Sequence, residues 1–207
     1  TTHASIMDGM GNAVSYTTTL NLSYGTKIVA RGTGMLLNNE MDDFSAKENA
    51  PNFYGLIGRR ANSIEPGKRM LSSMTPTIVR KDGKPILVTG SPGGSTIITT
   101  TMQVILNVIE HKMSLSDAVS SPRFHHQWLP TRVMHERFAF SPDTRRSLQS
   151  RGHNELVPLP PRYALGDANS VMQGEKGIEG MADPRNAGAA VGAALVAPLV
   201  ESQAATK

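Results

Sequence analysis

Thr1 is the residue of this chain with the most chemistry to offer, because it sets a hydroxyl beside an α-amine. A free α-amine can take the proton of its own residue's hydroxyl, so one threonine supplies both nucleophile and base. Chain ends are ordinarily frayed, so the pairing counts only where other residues support it. Three groupings hold further polar or reactive side chains. Glu40, Asp42 and Asp43 cluster three carboxylates, Ser91-Pro92-Gly93-Gly94-Ser95 forms a small-residue turn, and His125-His126 pairs two imidazoles. The carboxylates read as an acidic surface turn or a divalent-cation loop, although their spacing fits no EF-hand. The glycine turn lacks the Lys-Ser/Thr ending of a phosphate-binding P-loop, and by itself it is a turn before a helix. Adjacent histidines on an extended segment point to opposite faces. Both are therefore taken as structural, and no metal or other cofactor is expected.

The elements that would carry these groups can be placed from pattern. Thr2 to Ile6 and Ala13 to Leu20 read as strands around the turn Asp8-Gly9-Met10-Gly11-Asn12. Thr1 then starts one strand, with Thr17, Thr18 and Thr19 near the end of its neighbour. Residues 21–74 are loop-like. Thr77 to Arg80 and Ile86 to Thr89 flank an Asp82-Gly83 hairpin turn. Ile97, Ile98, Met102, Ile105, Val108 and Ile109 recur at helical spacing, which predicts a buried helix after the glycine turn. Ser114 and Asp117 stand in capping-box positions for a helix over 114–121. Ser141-Pro142 opens a third helix and Gly152 closes it. Strand-like pieces follow at 132–135, 168–173 and 177–181. Strands, then packed helices, then strands predict an α+β layered architecture.

Composition narrows the function classes. The 207 residues are 39% hydrophobic and 18% charged, with a formal net charge of +4, which fits one globular domain or two small ones. Lys and Arg are scattered rather than arranged in a stripe with aromatics, so nucleic acid is not an expected partner. No cysteine is present, which excludes disulfides, thiolate metal sites and a Cys nucleophile. No apolar run reaches about 18 residues, so no membrane span is expected.

Several segments support Thr1. They are Thr1-Thr2-His3, Tyr16-Thr17-Thr18-Thr19-Leu20-Asn21, Leu36-Leu37-Asn38-Asn39-Glu40-Met41-Asp42-Asp43-Phe44 and Leu71-Ser72-Ser73-Met74-Thr75-Pro76-Thr77. Gly90-Ser91-Pro92-Gly93-Gly94-Ser95 and Pro122-Arg123-Phe124-His125-His126-Gln127-Trp128-Leu129-Pro130 follow. In this order the series resembles the small subunit of bacterial γ-glutamyltranspeptidases, from Thr1 to about Arg185. The resemblance implies a four-layer αββα sandwich of the N-terminal-nucleophile hydrolase type. It also implies a precursor that cleaves itself before Thr1, whose upstream part remains bound as a large subunit. That would account for a chain opening on Thr rather than Met.

The resemblance further implies a site. Thr1 would attack the γ-carbonyl of γ-glutamyl amides such as glutathione, and Thr19 would hydrogen-bond the nucleophile. Gly93 and Gly94 would form the oxyanion hole, since paired glycines let backbone N–H groups converge with no Cβ between them. Asn21, Glu40 and Asp43 would hold the substrate's α-amino end, and Ser72 and Ser73 its α-carboxylate. Tyr54 would be the aromatic of a lid loop. Without the resemblance, Thr19 reads as a residue of strand propensity, and an exposed loop tyrosine is the less favoured alternative for Tyr54. Two positions depart from the family pattern. Met70 stands where Pro is usual, and Glu40 where many relatives carry Gln.

Expected partners are the large subunit and small γ-glutamyl donors and amine acceptors. Location in the periplasm or outside the cell follows from the resemblance alone. Residues 1–186 are expected to form the catalytic domain, and 187–207 an Ala/Gly-rich, poorly ordered extension. Two alternatives remain open: a cephalosporin or glutaryl acylase on the same scaffold, and a non-catalytic binding subunit.

Overall fold

The structure, a computed structural model, describes residues 1–193. Its elements alternate strands and helices much as the pattern predicts. β1 (Thr2–Met7) and β2 (Ala13–Thr18) form an antiparallel hairpin whose register pairs Thr2 with Thr18 and His3 with Thr17. The turn between them is tied by Asp8, whose carboxylate accepts from the Met10 and Asn12 backbone amides. A long irregular excursion separates this hairpin from the next. β3 (Thr77–Lys81) and β4 (Lys84–Thr89) form that second hairpin, closed by Asp82-Gly83 with both residues at positive φ.

α1 (Thr96–Ile109) and α2 (Leu115–Ser120) come next. Ser114 caps α2 by accepting from the Asp117 amide at 3.1 Å, and its hydroxyl donates to the Asp117 carboxylate. β5 (Phe124–His125) and β6 (Val133–His135) precede α3 (Pro142–Ser150), which Ser141 caps from Pro142's N-terminal side. β7 (Leu156–Pro158), β8 (Ser170–Gly174) and β9 (Gly177–Met181) complete the order.

Three sheets result: β1-β2, β3-β4-β8-β9 and β5-β6-β7. α1 and α2 pack on one side of the four-stranded sheet, and the β1-β2 hairpin approaches β4 and β8 on the other. The stack therefore runs helix, sheet, sheet. Leu87, Val104, Leu115, Val119 and Ala168 form the buried apolar cluster between α1, α2 and the four-stranded sheet. Each Leu or Val side chain among them contributes about 1.5–3 kcal/mol by leaving water.

The layer between the two sheets is polar instead. His3 Nδ1 lies 2.7 Å from Thr17 Oγ1 and His3 Nε2 2.9 Å from Ser5 Oγ, while Ser5 donates to the Asn169 carbonyl at 2.8 Å. Ser5 has one proton and spends it on Asn169, so it accepts from His3. The imidazole is thus the Nε2–H tautomer, and Thr17 donates to Nδ1. Burial lowers the His3 pKa to about 4, which keeps the ring neutral.

The outer faces differ from the expectation of a buried helix. Ile98, Met102 and Leu106 of α1 are exposed, at a spacing that puts them on one stripe. Ile6, Val14 and Tyr16 expose the outer face of the β1-β2 hairpin in the same way. An αββα stack would cover that hairpin face with a second helical layer, which the described residues do not contain. The predicted strand over 13–20 stops at Thr18, and 132–135 narrows to β6. β5 and β7 went unpredicted because each is three residues or fewer and shows no alternation.

Residues 187–193 of the expected extension carry no helix or strand and are exposed, and residues 194–207 lie outside the described residues.

Candidate active site

The hairpin register delivers the first pair of the site. Because Thr2 faces Thr18, Thr1 and Thr19 meet at the open end of β1-β2, with their Oγ1 atoms 2.8 Å apart. Thr19 Oγ1 also accepts from the Asn21 amide at 2.9 Å. That bond leaves the Thr19 proton available to the Thr1 oxygen. Asn21 is buried with φ +69°, a left-handed conformation that asparagine tolerates. Its Nδ2 donates to the Asn39 carbonyl at 3.1 Å, so Oδ1 is the side chain's remaining acceptor.

A cavity of about 30 Å³ opens beside this pair. Thr1, Thr19, Asn21, Glu40, Asp43, Tyr54, Ser72, Ser73 and Gly94 all line it. Gly93, the remaining predicted site residue, is next to Gly94 in the turn that leads into α1. Both glycines have positive φ, +136° and +57°. The Thr96 and Ile97 amides donate to the Gly93 and Gly94 carbonyls, so the turn's carbonyls face the helix. No backbone acceptor among the described residues takes the Gly93 or Gly94 N–H. These are the donors an oxyanion would use.

The 3-10 turn Glu40–Asp43 presents two of its carboxylates to the cavity. Burial raises the Glu40 pKa, and the Asp43 charge raises it further, while the Thr1 amino group opposes the shift. Burial likewise raises Asp43, helped by Asp42 and opposed by hydrogen bonding with Glu40. Glu40 Oε1 is buried and has no hydrogen-bond partner. An acidic pair with an unpaired buried oxygen is stabilised by a cation that can donate hydrogen bonds. An ammonium group meets that need.

Tyr54 closes the far side. Its hydroxyl donates to the Asn21 carbonyl at 3.3 Å. Burial raises its pKa, and the charges of Asp43, Asp42 and Glu40 add to the effect, so it remains a phenol. Ser72 and Ser73 supply neutral hydroxyls, with Ser72 Oγ also accepting from the Met74 amide.

Leu56, Met74 and Ile97 complete the wall. No sequence signal singles them out, since isolated apolar residues in loops and on a buried helix face look alike. The paired histidines separate as expected. His125 is buried, bonded to Thr99 and Gln127, while His126 packs edge-on against His153.

A larger cavity of about 540 Å³ adjoins the first and shares Asp43, Leu56 and Ser73 with it. It runs under residues 44–59 and is walled on its other side by Gln127, Trp128 and Leu129.

Known proteins share both the sequence and the fold. The sequence model described as Gamma-glutamyltranspeptidase matches residues 1–193. A curated protein of Escherichia coli (strain K12), named glutathione hydrolase proenzyme, is 52% identical over 187 residues. That alignment covers 90% of this chain and 31% of the relative, so the chain spans about a third of its length. The crystal structure of the Helicobacter pylori γ-glutamyltranspeptidase T380A mutant superposes with a TM-score of 0.84 at 51% identity. It covers 90% of this chain and all of the matched chain. A cephalosporin acylase from Bacillus halodurans has the same fold at a TM-score of 0.74 and 28% identity, over 88% of this chain and 32% of its own. The α+β layers are accordingly those of the N-terminal-nucleophile αββα sandwich. The match along residues 1–193, together with half the residues shared with a curated member, makes this chain a member of the γ-glutamyltranspeptidase family.

Proposed function

We propose that this chain is the catalytic small subunit of a γ-glutamyltranspeptidase and transfers γ-glutamyl groups from glutathione and related amides. The observation that carries the proposal is the single cavity in which Thr1, Thr19, Gly94 and the Glu40–Asp43 pair meet. The donor's α-ammonium would sit against Asn21, Glu40 and Asp43, and its α-carboxylate against Ser72 and Ser73. Thr1 Oγ would then attack the γ-carbonyl carbon while its proton passes to the Thr1 amine. The carbonyl oxygen would gain negative charge facing the Gly93 and Gly94 N–H groups, each such donor being worth about 3 kcal/mol of barrier. Collapse breaks the C–N bond, the amine leaves with the proton, and a γ-glutamyl ester remains on Thr1. Water or the amine of an amino acid or dipeptide would next attack that ester, giving hydrolysis or transfer. No metal or other cofactor enters these steps.

The mechanism requires Thr1 to carry a free amino group, which cleavage of a precursor would expose. The E. coli relative is named a proenzyme, and this chain spans 31% of it, consistent with a large subunit from the same precursor. The apolar stripe of α1 and the outer face of the β1-β2 hairpin are surfaces such a subunit would cover. Residues 1–186 would be the small subunit's catalytic domain, with 187–207 as an extension. The periplasm or the cell exterior is the location that goes with the family resemblance.

Replacing Thr1 with Ala in the mature assembled enzyme tests the proposal. Turnover of γ-glutamyl-p-nitroanilide should vanish, and retained activity would refute Thr1 as nucleophile. An acylase would favour the glutaryl analogue, which lacks the ammonium group. Glu40 with its unpaired buried oxygen weighs for the γ-glutamyl donor. A purely binding subunit would form no adduct at Thr1 with a γ-glutamyl electrophile.

A further inference from the structure

Residues 52–56 form a self-tied turn. The Asn52 side chain accepts from the Tyr54 and Leu56 amides, both at 3.0 Å, and the Gly55 amide donates to the Asn52 carbonyl. The turn can therefore keep its shape as a unit. Its placement rests on few contacts: the 540 Å³ cavity lies along it, the Phe53 amide donates to Asp42 Oδ2 at 3.3 Å, Asn52 Nδ2 donates to the Asp42 carbonyl at 3.5 Å, and the Tyr54 ring lies against Gly94. Where apolar packing is sparse, single hydrogen bonds decide position.

Tyr54 is fixed at two ends. Its hydroxyl reaches the Asn21 carbonyl, and its own carbonyl accepts from Gln127 Nε2 at 3.2 Å. Gln127 comes from a different part of the fold, just past β5. Its amide orientation is determined. Nε2 faces two carbonyls, those of Tyr54 and Leu129, and carbonyls only accept. Oε1 consequently accepts from His125 Nε2–H at 2.8 Å. His125 is buried, and its Nδ1 lies 2.7 Å from the Thr99 hydroxyl of α1. The row Thr99–His125–Gln127 thus runs from a rigid helix to the carbonyl of the residue covering Thr1's cavity. Pro130 and Gln127 are also what a side chain on Gly55 would first meet, so the turn's tip lies beside this segment.

We propose that Gln127, oriented by His125, is a positioning residue that latches the turn 52–56 and so holds the Tyr54 ring across the donor pocket. It thereby limits how bulky an amine the site releases or accepts. The size limit rests on the γ-glutamyl transfer reading, whereas the latch itself does not.

The decisive variant is Gln127→Glu in the mature assembled enzyme. It keeps the length and an oxygen for His125 but replaces the N–H donor facing Tyr54. Hydrogen–deuterium exchange of peptides spanning 50–58 should accelerate about 5-fold, the scale of one hydrogen bond's net contribution. The ratio of turnover of γ-glutamyl-p-nitroanilide to that of γ-glutamyl methylamide should rise by a similar factor. In a Tyr54→Ala background, Gln127→Glu should leave that ratio unchanged, because the ring it positions is absent. Wild-type exchange in Gln127→Glu overturns the latch. A selectivity change of equal size with and without Tyr54 overturns the role through Tyr54. Should the Glu variant fail to assemble, Gln127→Met, similar in size and unable to donate, is read by the same criteria. Absence of turnover on both donors in the wild type would instead overturn the transfer reading and leave the exchange comparison standing.

Discussion

The Tyr54 ring occupies the space that a Cβ on Gly94 would need: an ideal Cβ there would lie 2.3 Å from Tyr54 Cε1. The turn proposed to hold the oxyanion and the loop proposed to cover the pocket are therefore in direct van der Waals contact.

Gly94→Ala should consequently act twice. The methyl group displaces Tyr54, and the φ of +57° is a strained conformation for alanine. Misaiming an oxyanion donor costs about 100- to 1000-fold in kcat. Steady-state kinetics on the assembled enzyme would check this, with subunit assembly as the control. An alanine variant of near wild-type kcat would exclude Gly94 from the oxyanion site.

Thr19→Val removes the hydroxyl that faces Thr1 and strands the Asn21 amide that it accepts from. A loss of about 10- to 100-fold in kcat is expected from those two bonds. Thr19→Ser should restore activity to within a few-fold. Were Val and Ser variants equally active, Thr19 would be a strand-end residue and nothing more.

The Glu40–Asp43 pair ties binding to pH. Both carboxyls sit above their ordinary values of 4.5 and 3.8, so the native state holds protons there that the unfolded chain has released. Stability from this pair falls as pH rises through the window above those values. Donor binding runs the opposite way, since an ammonium needs the charged forms. The KM for a γ-glutamyl donor should climb as pH drops into that window. Glu40→Gln removes one of the two titrations, so the acid rise in KM should change its position or steepness relative to the wild type. At neutral pH the donor-free variant should melt at a higher temperature than the wild type. An unshifted KM profile would detach Glu40 from donor binding.

The buried pair Arg123–Asp183, with Nη2 and Oδ2 2.7 Å apart, anchors the last strand's exit to α2. Burial alone would raise Asp183. The charges of Arg123 and Arg185 and the Ala168 amide outweigh it and hold the carboxyl below its ordinary value. Its contribution is therefore present above about pH 4 and lost as pH falls through the lowered native pKa. Asp183→Ala leaves Arg123 buried and unpaired, and should cost about 3–5 kcal/mol in denaturant unfolding. A change under about 1 kcal/mol would show that water or Glu136 compensates.

Much of the frame was legible from sequence because it obeys local rules. The β1-β2 hairpin, the Asp82-Gly83 turn, the Ser114 and Ser141 caps and α1 all follow from alternation, turn chemistry and helical spacing. Thr1 and the Gly93-Gly94 turn stood out for their chemistry. Glu40 and Asp43 stood out only as an acidic cluster, and Tyr54, Ser72 and Ser73 not at all, because residues 21–74 have no period to read. Side chains hold that excursion together. The Asn62 amide bonds the Asp43 carbonyl and the Leu71 amide, and Asn52 bonds its own turn. Only the family resemblance placed those five residues at one cavity. Gln127 stands in the 122–130 segment with nothing to mark a role, since its partner Tyr54 is far away in the chain. The exposed stripe of α1 reads as buried from sequence, because apolarity on several faces carries no mark of what covers each face.

The directed row between the two sheets has a bearing on the nucleophile's chemistry. Thr17 gives its proton to His3, His3 gives one to Ser5, and Ser5 gives one to a backbone oxygen that can pass nothing onward. Both imidazole nitrogens of His3 are thereby engaged, which leaves the ring no vacant lone pair with which to act as a base. In the proposed reaction, deprotonating Thr1 would therefore fall to a group outside that row, and the nitrogen of the same residue is the one that would do it.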